Sequence, residues 1–322
     1  MPDKTYILCP GQGAQVVGMG KDFYEASSAA REVFDAANDA LGFDLKSLCF
    51  NGPEEELNKT NISQPAIYVT SVACFRAAVA VGIVKPDEVT AYAGLSLGEY
   101  TALHLGGAFS FIDGLKLVQA RGTYMQEAAI ATPSGMVAIM GADEAAVLKL
   151  CAKVLAAAIN DPMGSADEVL VPANYNAPGQ IIVSGSLRAC ERFANFAEEG
   201  EGFRTVMLKV AGAFHSPLMR SAADRMGAEL DQVNLRLPST TVYANVTAAP
   251  HTSVVDMKKL LVEQIISPVR WEQTMQSLVA AGEARYIELA PGRVLTGLLK
   301  KINRRLPVES LATTESLTSA KA

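Results

Sequence analysis

The chain has 322 residues, a mass of 34.1 kDa and a formal net charge of −6 at pH 7. Hydrophobic residues make up 49% and charged residues 19% of it, a balance typical of a folded globular protein with one large domain or two modest ones. A negative net charge without a long basic run argues against nucleic acid as a main partner. No uncharged apolar stretch approaches the roughly 18 residues that cross a membrane, so no membrane association is expected.

The chain contains five cysteines, an odd number, and none of them forms a C-x-x-C pair. This usage argues against a disulfide framework and a zinc site, and it fits a reducing compartment. No apolar run long enough for a signal peptide precedes Pro10 and Gly11. We therefore expect a cytoplasmic protein, or one of the plastid stroma in a plastid-bearing organism, without a bound metal. The cysteines are expected to be small buried hydrophobes: Cys9, Cys49, Cys74, Cys151 and Cys190.

Apolar runs alternate with helical patterns in the first 133 residues. Residues 5–9 form an apolar run that Pro10 and Gly11 end, and residues 89–93 form a second run that ends at Gly94. Both runs are predicted strands. Apolar residues recur with helical spacing in the segments 21–41, 65–84, 97–105 and 112–129. Strands that alternate with helices of this length indicate a parallel sheet covered on both faces.

The pattern changes between residues 134 and 207. Strands are predicted at residues 136–140, 169–173, 180–184 and 203–208, and helices at 142–158 and 187–198. This β-α-β-β-α-β order is typical of a ferredoxin-like unit. After it the α/β pattern returns, with helices predicted at residues 217–233, 257–266 and 294–302 and strands at 241–244 and 286–289.

These patterns predict a small subdomain inserted into a larger one. The large α/β domain is expected to comprise residues 1–133 and 208–312, and the ferredoxin-like subdomain residues 134–207. Residues 313–322 are small and polar and are expected to form a flexible tail.

Residues 94–98, GLSLG, match the pattern G-x-S-x-G between a predicted strand and a predicted helix. A serine on such a turn has strained backbone angles, and the flanking glycines let neighbouring segments approach without a Cβ clash. The start of the helix then places free N–H groups beside a reacting carbonyl oxygen. Ser96 is therefore the predicted nucleophile, although the bare pattern also occurs by chance.

A serine nucleophile needs a base, and the chain has only three histidines. His104 lies on the same helix as Ser96, two turns away, and is expected to be a structural or surface residue. His251 follows a proline in a polar turn and is expected to be solvated. His215 lies in a glycine-bearing loop that enters a helix, and by elimination it is the predicted base. No carboxylate stands out as its partner, so either a hidden carboxylate or a main-chain carbonyl could orient the imidazole.

Several segments together resemble the malonyl/acyl-CoA:acyl carrier protein transacylase family. The matching segments, in family order over nearly the whole chain, are PGQGAQ at residues 10–15, GLSLGEY at 94–100, QARG at 119–122, NYNAPGQIIVSG at 174–185, GAFHSPLM at 212–219 and PGRVL at 291–295. The resemblance implies a hydrolase-like α/β core with a parallel sheet that carries a ferredoxin-like small subdomain. It also implies transfer of a malonyl group from malonyl-CoA to the phosphopantetheine thiol of acyl carrier protein, in fatty acid synthesis, by a ping-pong mechanism.

The resemblance assigns roles to the matching positions. Ser96 would be the acylated nucleophile and His215 its base. The main-chain N–H groups of Gln12 and Leu97 would form the oxyanion hole. The main-chain carbonyl of Gln264 would orient the histidine, in place of a carboxylate.

Arg121 matches the arginine that binds the free carboxylate of malonate in this family, which its bidentate hydrogen-bonding geometry suits. Phe214 fits the malonyl-type members, because a large ring would crowd an α-methyl branch. Leu95 departs from the family pattern, which has histidine before the serine; a leucine neither donates nor titrates, so the Ser–His chemistry is unaffected. No cofactor is implied, coenzyme A is the leaving group, and a monomer is expected.

An acidic carrier protein would need a basic rim on the enzyme. The densest basic cluster comprises Lys300, Lys301, Arg304 and Arg305, although cations also favour helix C-termini for other reasons. Three alternatives stay open from the residues: a serine hydrolase on a similar turn, a carrier-protein binding module without activity, and an acyltransferase of polyketide synthesis.

Overall fold

The computed structural model describes residues 4–159 and 164–319. Within them, the strands are β1 Thr5–Cys9, β2 Val89–Gly94, β3 Ser134–Met140, β4 Leu170–Ala177, β5 Gln180–Ser186, β6 Arg204–Met207, β7 Thr241–Val242, β8 Arg285–Leu289 and β9 Val308–Leu311. They form two sheets, ordered β7-β2-β1-β8-β9 and β4-β5-β3-β6.

The helices connect these strands and cover both faces of the larger sheet. They are α1 Lys21–Ala26, α2 Ser28–Leu41, α3 Leu45–Asn51, α4 Glu54–Leu57, α5 Thr60–Ala80, α6 Gly98–Leu105, α7 Phe111–Ala131, α8 Glu144–Ala158, α9 Leu187–Asn195, α10 Arg220–Gln232, α11 Val254–Gln264, α12 Trp271–Ala280, α13 Val294–Ile302 and α14 Thr314–Ser319. None of these described helices is both long and apolar enough to span a membrane.

The larger sheet is parallel throughout, which confirms the predicted α/β core. Strand β1 lies between β2 and β8, and its side chains alternate between two apolar clusters. Ile7 and Cys9 belong to one cluster, and Tyr6 and Leu8 belong to the other. Because β1 and β2 are parallel neighbours, their carboxyl ends meet at one edge of the sheet, and Cys9 pairs with Gly94 there. The loops that follow the two strands therefore start side by side.

The smaller sheet is antiparallel and has the predicted ferredoxin-like order, with α8 and α9 packed on it around an apolar core of their own. It joins the larger unit through main-chain hydrogen bonds. The Tyr175 N–H donates to the carbonyl of Val269, and the Val269 N–H donates to Ala173, each at 2.9 Å. The Ser184 hydroxyl donates to the carbonyl of Phe214 at 2.6 Å, so β5 also contacts the loop that carries His215.

Some segments differ from the sequence prediction. The helix predicted at 21–41 is divided at Ser27, whose hydroxyl caps α2 by accepting from Ala30. Helices α3, α4 and α12 and strand β9 were not predicted. Residues 313–322 are predicted to form a flexible tail, but residues 314–319 form α14, and Leu317 packs into the main core. The segment between the predicted helix 142–158 and the predicted strand 169–173 lies partly outside the described residues, as do residues 320–322.

Candidate active site

Ser96 lies on the tight turn between β2 and α6, with a positive φ of 52°. The glycines around it are required by close backbone contacts. A Cβ on Gly94 would lie 1.9 Å from the backbone of Gly98, and a Cβ on Gly98 would lie 2.1 Å from the carbonyl oxygen of Cys9. Only glycine fits at either position without moving the backbone. The segment is therefore a nucleophile elbow, as the pattern predicts.

The loop after β1 packs directly against this elbow. A Cβ on Gly11 would lie 2.3 Å from the carbonyl oxygen of Leu95. This contact brings Gln12 beside the start of α6, and both Gln12 and Leu97 line the cavity that contains Ser96. Within the described residues, neither main-chain N–H donates to a protein acceptor. Two N–H groups without a protein acceptor in the cavity of the serine are the kind of donors that an oxyanion hole uses.

His215 contacts both Ser96 and Gln264. Its Nε2 lies 2.8 Å from Ser96 Oγ, and its Nδ1 lies 2.6 Å from the main-chain oxygen of Gln264. A carbonyl oxygen only accepts, so Nδ1 carries the ring proton and Nε2 presents its lone pair to the serine hydroxyl. Of the two partners that the sequence leaves open for this histidine, the structure has the main-chain carbonyl.

The His215 side chain is buried, and its pKa is lowered to about 4. Burial is the main cause and the nearby charge of Arg121 the second, while hydrogen bonding to main-chain oxygens opposes the shift. The imidazole is therefore neutral at pH 7. A neutral imidazole with its Nε2 lone pair directed at a hydroxyl is the form that a general base needs.

Arg121 is fully buried, at 1% exposure, and reaches the nucleophile from α7. Its Nη2 donates to Ser96 Oγ at 3.1 Å and to Gln264 Oε1 at 2.9 Å, and its Nη1 donates to Gln64 Oε1 at 2.8 Å. Burial lowers the pKa of the guanidinium, while the nearby Tyr100 and Glu99 side chains oppose that shift. Arginine stays charged in proteins, so a buried cation lies beside the serine.

Glu99 and Asn245 support the elbow from behind. Asn245 Oδ1 accepts from the Ser96 N–H at 2.6 Å, and Asn245 Nδ2 donates to the Gly94 carbonyl at 2.7 Å. The Glu99 carboxylate, at 1% exposure, accepts from the Asn245 N–H at 3.0 Å and from Gln264 Nε2 at 2.7 Å. These contacts hold the strand–turn–helix segment in one conformation.

The expectation that His251 is solvated is wrong. Its side chain is fully buried, and its Nε2 lies 2.9 Å from Glu99 Oε1. The polar residues around it in the sequence favour a surface turn, but the buried carboxylate gives the ring a partner that the sequence does not reveal. His104, in contrast, is half-buried and contacts the carbonyl of Phe109 with its Nδ1, away from Ser96.

A cavity of about 570 Å³ contains the nucleophile and is lined by residues of both the larger and the smaller unit. Its lining includes the predicted site residues Gln12, Ser96, Leu97, Arg121, Phe214 and His215. Leu95 also lines it, as do Asn174 and Asn176 from β4. The cavity thus combines apolar walls with a few polar groups near the serine. Among the described residues, no group of three or more potential metal ligands is present.

The sequence interpretation did not include Gln64, Asn245 or a role for Glu99. Gln64 and Asn245 reach the site from segments distant in the chain, and no local pattern marks them. Glu99 had a signal, since it follows the elbow directly in GLSLGEY. Its position on the first turn of α6 turns its side chain toward Asn245 and Gln264.

The chain has a parallel α/β sheet with a nucleophile elbow and a neutral histidine in contact with the serine. Two main-chain N–H groups without a protein acceptor lie in the same cavity. These features are typical of serine-dependent acyl-transfer enzymes. Comparison with known proteins then places the chain more closely. Residues 5–318 match the acyl transferase domain, and the chain belongs to that family.

Relatives cover nearly the full length. The malonyl CoA-acyl carrier protein transacylase of Bacillus subtilis (strain 168) is 40% identical over 314 residues, which cover 98% of this chain and 95% of that protein. The solved transacylase of the same description from Coxiella burnetii is 34% identical, with a TM-score of 0.91 over 98% of this chain and 96% of that one. A malonyl-transacylase solved in complex with a type II polyketide acyl-carrier protein is 35% identical, with a TM-score of 0.90 over 99% of both chains. The resemblance inferred from the motifs is confirmed.

Proposed function

We propose that this protein transfers the malonyl group from malonyl-CoA to the phosphopantetheine thiol of an acyl carrier protein, through a malonyl-Ser96 intermediate, and so supplies fatty acid synthesis. Membership in the acyl transferase family and the names of the full-length relatives support the activity. Polyketide synthesis would use the same two half-reactions with a different carrier. The proposed mechanism uses no metal ion and no bound cofactor.

The observation that carries the choice of acyl group is the position of Arg121. A buried guanidinium lies 3.1 Å from the nucleophilic oxygen, inside the cavity that must hold the acyl group. A neutral acyl group would leave this cation without an anion in direct hydrogen-bond contact, whereas the free carboxylate of a malonyl group can accept two hydrogen bonds from it. Phe214 narrows the same cavity, which supports an unbranched acyl chain.

In the first half-reaction, His215 Nε2 takes the hydroxyl proton as Ser96 Oγ forms a bond to the thioester carbon. The oxyanion that develops accepts hydrogen bonds from the N–H groups of Gln12 and Leu97. The carbon–sulfur bond then breaks, and the coenzyme A sulfur leaves with the proton from His215. The product is malonyl-Ser96, whose carboxylate is bound by Arg121.

The second half-reaction reverses these steps with a different thiol. The phosphopantetheine thiol gives its proton to His215 while its sulfur attacks the ester carbon. The carbon–oxygen bond breaks, and Ser96 recovers the proton from the imidazole. The main-chain oxygen of Gln264 holds the ring in one tautomer throughout, because it accepts from Nδ1 in both half-reactions.

The proposal extends to the partner surface and to the compartment. Lys300, Lys301, Arg304 and Arg305 are exposed, and Lys301 Nζ donates to Gln180 Oε1, a residue of the cavity lining. Lys301 therefore lies beside the cavity lining, and we infer that the cluster forms the rim to which an acidic carrier protein delivers its thiol. The five cysteines are buried free thiols, which supports a reducing compartment such as the cytoplasm.

Mass spectrometry of the intact protein tests the activity. We expect malonyl-CoA to add one malonyl group to the wild type and none to Ser96→Ala. Arg121→Ala should lose malonyl labelling by roughly ten- to a hundredfold relative to acetyl labelling from acetyl-CoA, because the carboxylate loses its charged hydrogen bonds. Arg76→Ala removes an exposed arginine of α5 and is the matched control; it should label as the wild type does.

Each of the other outcomes would contradict the proposal in a defined way. Release of free malonate without an adduct or a carrier product would indicate a hydrolase. An adduct that persists in Ser96→Ala would place the nucleophile elsewhere. Absence of both adduct and turnover would leave a binding module without catalysis.

A further inference from the structure

The buried charge of Arg121 has no direct acidic partner among the residues that the structure describes. Its hydrogen-bond acceptors are the neutral oxygens of Gln64, Ser96 and Gln264. A buried cation without an anion nearby is strongly destabilised, so a counter-charge is expected close to it. The nearest candidate behind the elbow is Glu99, which is buried as well.

One amide group connects the two charges. Gln264 Oε1 accepts from Arg121 Nη2 at 2.9 Å, and Gln264 Nε2 donates to Glu99 Oε2 at 2.7 Å. The opposite orientation of the amide would direct its NH₂ group at the guanidinium and its oxygen at the carboxylate, and both contacts would be repulsive. Glu99 and Arg121 therefore favour the same orientation of the Gln264 amide, and the amide dipole couples the two charges.

The remaining Glu99 contacts show that this carboxylate is itself held firmly. Its Oε2 accepts from the Asn245 N–H at 3.0 Å, and its Oε1 lies 2.9 Å from His251 Nε2. Together with the bond from Gln264 Nε2, these contacts hold the Glu99 carboxylate in one position. None of these contacts is part of the acyl-transfer steps described above.

We propose that Glu99 is the counter-charge of Arg121 in the free enzyme and thereby limits how strongly the cavity prefers acyl groups with a free carboxylate. A substrate carboxylate must compete with Glu99 for the same guanidinium. The negative charge of Glu99 lowers the positive potential at the point where the acyl carboxylate binds. Arg121 then binds the malonyl carboxylate less tightly, so the malonyl group transfers more readily to the carrier thiol. Glu99 is a specificity-determining residue that acts through Gln264 and Arg121. The inference rests on the proposed function.

Glu99→Gln tests the charge with little change in shape. The new amide can direct its oxygen at Gln264 and Asn245 and its NH₂ group at His251. His251 can then accept at Nε2 if its proton moves to Nδ1, which has no partner among the described residues. Glu99→Asp is the complementary variant, because it keeps the charge and shortens the side chain.

The measured quantity is the ratio of kcat/KM for malonyl-CoA to that for acetyl-CoA, in the acylation of Ser96. The two donors share the coenzyme A part, and both are measured on one sample, so partial unfolding cancels in the ratio. We expect Glu99→Gln to raise the ratio by about threefold to thirtyfold, the effect of removing one charge that a single amide group separates from the guanidinium. Glu99→Asp should leave the ratio near that of the wild type.

Glu288→Gln is the matched control. Glu288 is also fully buried, but it accepts from the N–H groups of Leu295 and Thr296 at the start of α13 and not from Gln264. Its substitution removes a buried carboxylate elsewhere, so stability should fall while the ratio stays unchanged. If Glu99→Gln alone yields no folded protein, the variant that combines it with His251→Asn places a neutral pair at the same site and is interpreted in the same way.

An unchanged ratio in Glu99→Gln would overturn the inference. A lower ratio would overturn it too, since that result would mean that Glu99 acts by positioning Arg121 rather than by opposing its charge. A wild type that forms no malonyl adduct is a separate outcome, which would overturn the proposed function and the inference together.

Discussion

Ser96 and His215 both have positive φ angles, 52° and 58°. Residues other than glycine adopt this conformation only where their surroundings hold them there. Ser96 is held by the bond from its N–H to Asn245 Oδ1, and the His215 ring is held by the carbonyl of Gln264. The two side chains are therefore placed 2.8 Å apart before any substrate binds. Such preorganisation lowers the barrier to proton transfer.

The pH dependence of acylation follows from the burial of His215. Burial lowers the pKa of this histidine to about 4, whereas imidazole in an unfolded chain has a pKa near 6.5. The base acts in its neutral form, so we expect the rate of Ser96 acylation to change little between pH 7 and about pH 5, and to fall as the pH approaches 4. Rapid-quench measurement of the malonyl adduct checks this. A fall with a midpoint near pH 6.5 would contradict it.

The same shift affects stability. Between pH 6.5 and about pH 4 the unfolded chain binds a proton at this histidine that the folded chain excludes. The free energy of unfolding therefore decreases as the pH falls through this window, by up to about 3 kcal/mol. Urea unfolding of the wild type and of His215→Gln at several pH values isolates the effect, because other titrating groups are common to both. A difference that does not change with pH would contradict the assignment.

At the scale of elements, the elbow depends on three backbone segments in direct contact: the end of β1, the end of β2 and the start of α6. Gly98→Ala would place a methyl group 2.1 Å from the carbonyl oxygen of Cys9. We expect a loss of about 3 kcal/mol or more in the free energy of unfolding, together with loss of acylation, because the backbone must move.

Gly297→Ala in α13 is the control, since nothing lies within 4 Å of its new methyl group. That substitution should be neutral or stabilise by up to about 1 kcal/mol. Equal effects of the two substitutions would mean that the elbow is not this tightly packed.

The elements that could be predicted are those with a strong local pattern. Strand β1 is an apolar run ended by Pro10 and Gly11, and α13 has clear helical periodicity, so the bounds of both were predicted as the structure has them. Strand β9 has four residues, VESL, and it is a strand because it pairs with β8. Within the site, Ser96 and His215 carry motif signals. The burial of His251 does not, because it depends on a carboxylate from a distant part of the chain.

At the scale of the whole molecule, the nucleophile lies in a cavity that residues of both structural units line. The turn after β2 of the parallel sheet supplies Ser96, and β4 and β5 of the antiparallel sheet supply other lining residues, including Asn176 and Ile182. In a ping-pong reaction, a large acyl donor and then a large acyl acceptor must reach the same serine. A cavity between two units, rather than within one, provides that access. If the proposed function holds, we expect the rim of the cavity to select which acceptor reaches the serine.

Charge reversal on the basic cluster tests this role of the rim. We expect Lys301→Glu combined with Arg304→Glu to raise the KM for an acidic carrier protein by about tenfold at low salt, because both residues are exposed at the end of α13. The effect should shrink as added salt screens the charges. Lys116→Glu, on the exposed face of α7, is the control and should leave this KM unchanged.

Acylation by malonyl-CoA in the absence of carrier distinguishes docking from chemistry, since the half-reaction at Ser96 should keep its kcat in all these variants. If the KM for the carrier is the same in the double variant and the wild type, the carrier approaches the cavity from another side.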